Sequence, residues 1–224
     1  MAQRAGISPT WYTWLEQGRE IKPSADVLEH LADALLLNES ERDHLKTLAT
    51  PDPAVRWRRR FSSAAPQTLA SWLDGLDHPA YVLNGRWDVL AWNKPAKDIL
   101  GDFASVPRAD RNILRMIFLW PDWRRLFVEW GCLAASAVAQ FRAETARYAG
   151  AEELEALTRG LVRDSADFAM LWNVRAVDGP RLRTKRMLHP KLGAIDLTYA
   201  PLQPKGVAGD LSVVVYSPQP VSPT

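Results

Sequence analysis

Apolar and polar positions along residues 1–49 alternate short helical stretches with punctuation. Gly6 follows a fragment of helix, Ser8 and Pro9 open the next helix, and Gly18 stops it. Pro23-Ser24 starts a third helix, in which Leu28, Leu31, Ala32 and Leu35 recur at steps of three or four. A fourth begins at Asn38, whose side chain can cap the backbone while that of Glu41 reaches back in a variant of the capping box. The pattern predicts a small all-α bundle.

From 50 to 65 the periodicity lapses. Pro51, Pro53, the cluster Arg56, Trp57, Arg58, Arg59 and Arg60, and the run from Ser62 to Pro66 read as a linker. Residues 66–220 follow a different grammar. A short helix carries Leu69, Trp72, Leu73 and Leu76, and two strands, Tyr81 to Leu83 and Arg86 to Trp92, flank Asn84-Gly85. Asn-Gly between apolar runs predicts a hairpin with a type I′ turn, which needs positive φ at both central residues. Helices are expected over 110–119, in one long stretch over 121–149 ended by Gly150, and from Leu154 through Leu161 toward Phe168, Leu171 and Trp172. Strands return at Leu182 to Leu188, Ala194 to Tyr199 and Leu211 to Tyr216. Two strands, a helical block and three strands suit a five-stranded antiparallel sheet with helices across one face, an α+β fold of PAS-like arrangement. Such sheets often cup a small ligand beneath their helices.

Composition narrows the function classes. The chain has 224 residues with 47% hydrophobic and 24% charged positions, ordinary for a globular protein of one or two domains. The single cysteine, Cys132, excludes a disulfide framework and a cysteine-based zinc site. Set in an apolar helix beside Gly131, it is expected to be a buried structural thiol and not a nucleophile. No run approaches a membrane span and no signal peptide is evident, so a reducing cytoplasmic setting is expected, with no membrane partner. The formal net charge is only +2, so a claim of DNA binding must rest on local geometry. No histidine has a neighbour at metal-ligand spacing, and no phosphate loop or Gly-x-Ser-x-Gly elbow appears, so neither metal, cofactor nor catalytic residues are expected. His189 before Pro190 is expected to end a strand.

The segment from Ala2 to Gly18 has the layout of a helix-turn-helix: a helix, a Gly-containing turn, then a capped helix. At 100° per residue, Tyr12 and Leu15 share the packing side. Thr10, Thr13, Trp14 and Gln17 lie opposite, with Trp11 between. Thr hydroxyls and a Gln amide can bond base edges or phosphates, and an indole can cover a thymine methyl. With Ser8 at the cap and Arg19 beyond Gly18, these residues form the candidate DNA-facing set.

Through Leu35, this stretch resembles the XRE-type helix-turn-helix regulators of bacteria. The remainder, on Tyr81 to Asn84, Trp87 to Asn93, Lys185 to Gly193 with its His189-Pro190, and Leu211 to Pro218, resembles the MmyB-type ligand-binding domain. The resemblance implies a transcription regulator that binds double-stranded DNA, as a homodimer on paired half-sites, and senses a small apolar molecule such as a fatty acid. In such DNA-binding domains another helix usually precedes this motif, and that first helix is expected to be missing here. Residues 1–50 hold five Lys and Arg against eight Asp and Glu, and the linker arginines restore neutrality only by residue 60. Weak DNA binding by this half alone is therefore expected, with about 20 to 40 further residues encoded upstream in frame. The alternative is a shortened ligand-binding protein that does not bind DNA and acts as a sink or a dimerising antagonist.

Ten tryptophans exceed what this length ordinarily carries. Trp92, Phe118, Trp123 and Phe127, with Trp130, Phe141, Phe168 and Trp172, form the candidate ligand-binding set. They are expected around an apolar cavity between the long helix and the sheet, widened by Gly131, Ala134 and Ala135. The linker arginines either track a phosphate backbone or form a solvated face. Arg181, Arg183 and Lys185 alternate on one side of a late strand, as a solvent-facing row or as a contact for a ligand carboxylate or a dimer partner.

Overall fold

The computed structural model describes residues 6–19, 21, 23–49, 61, 63–174, 184–205, 207 and 210–218. The chain divides into two compact units, Met1–Arg56 and Trp57–Thr224. The linker cluster of Arg56 to Arg60 lies outside the described residues, as do Arg181 and Arg183.

In the first unit, α1 spans Pro9–Glu16, α2 Ala25–Ala34 and α3 Glu39–Ala49. Their starts follow the chemistry of unsatisfied backbone donors. Ser8 Oγ accepts from the Trp11 amide at 3.2 Å and Ser24 Oγ from the Val27 amide at 3.3 Å. Asn38 and Glu41 exchange the two bonds of a capping box, at 2.9 and 3.1 Å. Leu28, Leu31 and Ala32 are buried on α2, but Leu35, expected inward, is exposed at the C-cap. There the helix ends through Leu36 in the left-handed region, with the Leu37 amide bonded to the Ala32 carbonyl.

The second unit is built on one five-stranded antiparallel sheet in the order β2-β1-β5-β4-β3. Its strands are β1 (Ala80–Leu83), β2 (Val89–Trp92), β3 (Thr184–His189), β4 (Gly193–Leu202) and β5 (Ser212–Pro218). Side-chain alternation divides its faces. Ala80, Val82 and Val213 meet Leu73 of α4 (Gln67–Asp74) on one side. On the other side, Tyr81, Leu83, Met187, Leu197, Val214 and Tyr216 join the main core with the remaining helices. These are α5 (Lys94–Leu100), α6 (Ile113–Leu119), α7 (Pro121–Leu126), α8 (Trp130–Thr145), α9 (Glu152–Asp164) and α10 (Ala166–Asn173).

Three local expectations change. The helix predicted over 121–149 is two helices. Residues 127 and 128 leave the helical path to satisfy the outer edge of β3, with Phe127 bridging Met187 and the Val128 amide donating to the Arg186 carbonyl at 3.0 Å. With the phase reset, α8 buries Leu133, Ala134, Ala137, Val138 and Phe141, which leaves Cys132 exposed instead of buried.

The hairpin forms, but its turn is not type I′. Asn84 uses its side chain as an internal acceptor for the Arg86 and Asp88 amides, and the left-handed residue is Trp87 at φ +68°. The register shifts between Val82 and Leu83 accordingly.

No element was expected between Trp92 and Asp110, yet α5 lies there. Its signal was present in Asn93 as N-cap and Pro95 in the first turn. Asn93, 1% exposed, also ties α4 to the sheet. Its Oδ1 accepts from the Ala80 and Ala96 amides, and its Nδ2 donates to the carbonyls of Leu73, Leu76 and His78.

Candidate functional site

The first candidate is α1 of the N-terminal unit. Pro at N1 and the Ser8 cap fix its start, and Thr13 Oγ1 donates back to the Pro9 carbonyl at 3.0 Å. Ser8, Thr10, Thr13, Trp14, Gln17 and Arg19 are exposed, while Trp11, Tyr12 and Leu15 are half-buried. The expected division of faces is therefore present, although Tyr12 and Leu15 are less buried than core residues. Trp14 is 39% exposed and the Arg19 guanidinium lies 5.8 Å from its ring centroid. The helix thus presents hydroxyl, amide, indole and guanidinium groups on one side, the chemistry that reads base edges and phosphates.

In the same unit, α2 and α3 are joined by ion pairs. Arg42 bonds Asp33 at 2.6 Å and Glu29 at 3.3 Å, and Lys46 also pairs with Glu29. The Lys46 ammonium, helped by Arg42, holds the Glu29 carboxyl below its usual range.

The second candidate is a cavity of about 480 Å³ between α8 and the sheet, within the usual range of small-molecule sites. One wall is the face of α8 that carries Leu133, Ser136, Ala137, Gln140 and Glu144. Tyr81, Leu83, Lys185, Tyr199 and Val214 of the sheet form the other. Trp87 and Tyr148 line it as well, with Asp210 and Leu211 ahead of β5.

The location agrees with expectation, but the lining does not. None of Trp92, Phe118, Trp123, Phe127, Trp130, Phe141, Phe168 and Trp172 is among the lining residues. These rings pack on one another instead. Phe118 meets Trp130 and Phe168 edge-on, Phe168 stacks on Trp172 at 5.5 Å, and Trp123 meets Phe127 edge-on at 5.5 Å. Trp92 lies against Phe103. The indoles of Trp123 and Trp130 donate to the Leu100 and Ile117 carbonyls at 2.8 and 2.9 Å. Phe141 is fully buried behind Trp87, edge-on at 5.3 Å. Of the small residues expected to widen the space, none lines it, and Ser136 and Ala137 take that place.

The cavity is also more polar than expected. Lys185 Nζ donates to Tyr216 Oη at 2.9 Å and lies 4.3 Å from the Tyr199 ring centroid and 5.1 Å from that of Tyr216. Tyr216 Oη is 3.2 Å from Tyr81 Oη. Burial, and then the neighbouring Tyr216, push the Tyr81 phenol well above its ordinary value, so it stays protonated. Elsewhere along the lining, Trp87 Nε1 donates to Glu144 Oε2 at 2.9 Å, Gln140 Nε2 donates to Glu144 Oε1 at 2.8 Å, and the Tyr148 hydroxyl bonds Asp210. The alternation of basic residues around Lys185 was the sequence signal for one of these groups. Trp87 and Glu144, 57 positions apart, gave none.

His189 ends β3 as expected. Its Nδ1 accepts the amides of Lys191 and Leu192 at 3.2 and 3.1 Å, and Nε2 lies 3.0 Å from the Asp98 carbonyl. Among the described residues there is no group of three or more His, Cys, Asp or Glu that could hold a metal ion, and no helix long and apolar enough to cross a membrane.

Comparison with known families assigns both units. A helix-turn-helix domain model matches residues 1–45, and the model of the MmyB-like transcription regulator ligand binding domain matches residues 65–224. No curated protein matches the chain. The two matches point to a regulator of transcription and not to an enzyme, with DNA as the partner of the first unit and a small ligand as that of the second. By a match that spans well over half its length, the chain belongs to the MmyB-like transcription regulators.

Proposed function

We propose that this regulator reads a specific operator with the exposed face of α1 and responds to a small, largely apolar ligand in the cavity of a PAS-like domain. The observation that carries the DNA half is the exposed polar face of a capped α1 within the matched helix-turn-helix. On this reading Thr10, Thr13, Trp14 and Gln17 face the major groove, with Trp11 at its edge and Ser8 and Arg19 toward the phosphates. The ligand half rests on the cavity itself. Its contacts pass from the eight aromatic residues to Tyr81, Leu83, Trp87, Lys185 and Tyr199, while the aromatic cluster stiffens the wall behind them.

The ligand is fatty-acid-like, the regulator is a cytoplasmic homodimer, and ligand binding shifts the geometry between paired reading helices. Because cations on phosphates supply most DNA affinity, binding should be steeply salt-dependent and weak for the first unit alone. Two measurements test the reading. Duplexes enriched from a random pool by the full chain should contain a common motif, and mass spectrometry of gently purified protein should find a bound lipid-like molecule. A pool with no enriched motif would leave the DNA-incompetent alternative in place. Purified protein that carries no small molecule and binds no medium-chain acid or alcohol would remove the sensor.

A further inference from the structure

The distribution of charge around the cavity specifies more than an apolar ligand. Lys185 sits at one part of the lining, half-buried, with its ammonium against Tyr216 Oη and over the rings of Tyr199, Tyr216 and Phe127. Among the described residues it has no carboxylate partner. An ammonium held against a cavity wall by tyrosines loses part of its hydration, and an entering anion restores what the wall does not supply. The Tyr81 phenol, protonated and on the same wall, lies 3.2 Å from the Tyr216 hydroxyl that Lys185 also reaches.

A different part of the lining has the opposite polarity. Glu144 accepts one bond from Trp87 and one from Gln140. A carboxylate has about four acceptor positions, so it retains capacity for a further donor. Asp210 places a second carboxylate on the lining. Tyr81 and Leu83 both point into the cavity from β1, and Trp87 lies beyond Leu83 past the turn. With a rise of about 3.4 Å per residue, the Tyr81 level and the Trp87–Glu144 level are separated by roughly 7 Å or more along the strand.

Resting on the reading of this cavity as the ligand site, we infer that its ligand is bipolar. It carries an acidic group that seats on Lys185 beside Tyr81, an apolar middle against Leu83, Ile117, Leu133 and Val214, and a cationic or hydrogen-bond-donating end that meets Glu144. An amino-terminated medium-chain acid has this chemistry; a plain fatty acid satisfies only the Lys185 end.

Calorimetric titration of the delipidated full chain with decanol, decanoate and ω-aminodecanoate separates the three contributions. A charge-assisted contact at Lys185 should make decanoate bind roughly tenfold tighter than decanol, and the amine should add about a further threefold. Lys185→Met should bring decanoate within about twofold of decanol, while Lys185→Arg should keep most of the difference. Glu144→Gln should remove the gain from the amine and leave the preference for decanoate over decanol. Equal binding of all three probes by the native chain, or a decanoate preference that survives Lys185→Met, would overturn the bipolar ligand and leave the cavity reading intact. Binding of none of the three would overturn both.

Discussion

The two units of this chain differ in the balance of forces that hold them. In the first, α1 buries none of its side chains, buried apolar side chains among the described residues are Leu28, Leu31 and Ala32 of α2, and the caps at Ser8, Ser24 and Asn38 with the ion pairs of Arg42 and Lys46 add to them. In the second, α8 alone buries Leu133, Ala134, Ala137, Val138 and Phe141 against a sheet whose inner face is also buried. Apolar burial is strong and is not weakened by charge screening, whereas exposed caps and ion pairs are individually small and the ion pairs are screened. A reading helix must leave its polar face open to DNA, while a ligand cavity needs stiff walls. On the proposed reading, the balance of forces follows the division of tasks.

Substitutions can break this contrast, beginning with the second unit. Phe141→Ala, which empties a fully buried site behind Trp87, should cost that unit about 3–5 kcal/mol. Hydrogen exchange read by mass spectrometry should show the loss across the sheet and α8, with protection of α2 unchanged. Next in size, Asn93→Ala leaves buried amides and carbonyls of α4, α5 and β1 without their partner and should cost at least about 2 kcal/mol, seen by the same method at those elements. A smaller effect is expected in the first unit, where Ser24→Ala removes one cap and should cost about 1 kcal/mol, confined to exchange within α2.

The smallest effect is electrostatic. Glu29 is held below its usual 4.5 by Lys46 and Arg42, so its pairing stabilises the folded unit above that value. The contribution is lost as pH falls through the lower folded value. Acid titration of α2 and α3 amides should show this destabilisation, and Glu29→Gln or high salt should flatten it. An unchanged acid profile in Glu29→Gln would assign the sensitivity elsewhere.

What could be read from the sequence was what depends on local chemistry. The caps at Ser8, Ser24 and Asn38 and the alternation of the strands are set by residues a few positions apart, and they stand as expected. What escaped depends on distant partners. The break at Phe127 and Val128 answers an open edge on β3, some 60 positions later. Trp87 is held left-handed in a setting completed by Phe141 and Glu144, so no dipeptide rule could place it. Aromatic surplus suggests a pocket lined by the largest rings, yet large rings pack most tightly on one another. The cavity opens instead where smaller and polar residues, such as Ser136, Ala137 and Gln140, face the sheet.

The assignment of α1 as the reading element is the centre of the functional conclusion, and one binding experiment addresses it. On a duplex enriched by the native chain, fluorescence anisotropy at fixed salt should show Thr10→Ala and Gln17→Ala losing roughly tenfold or more in specific affinity each. Binding to unrelated DNA and the exchange protection of α2 should stay unchanged. Specific affinity preserved in both variants would contradict the placement of α1 in the groove.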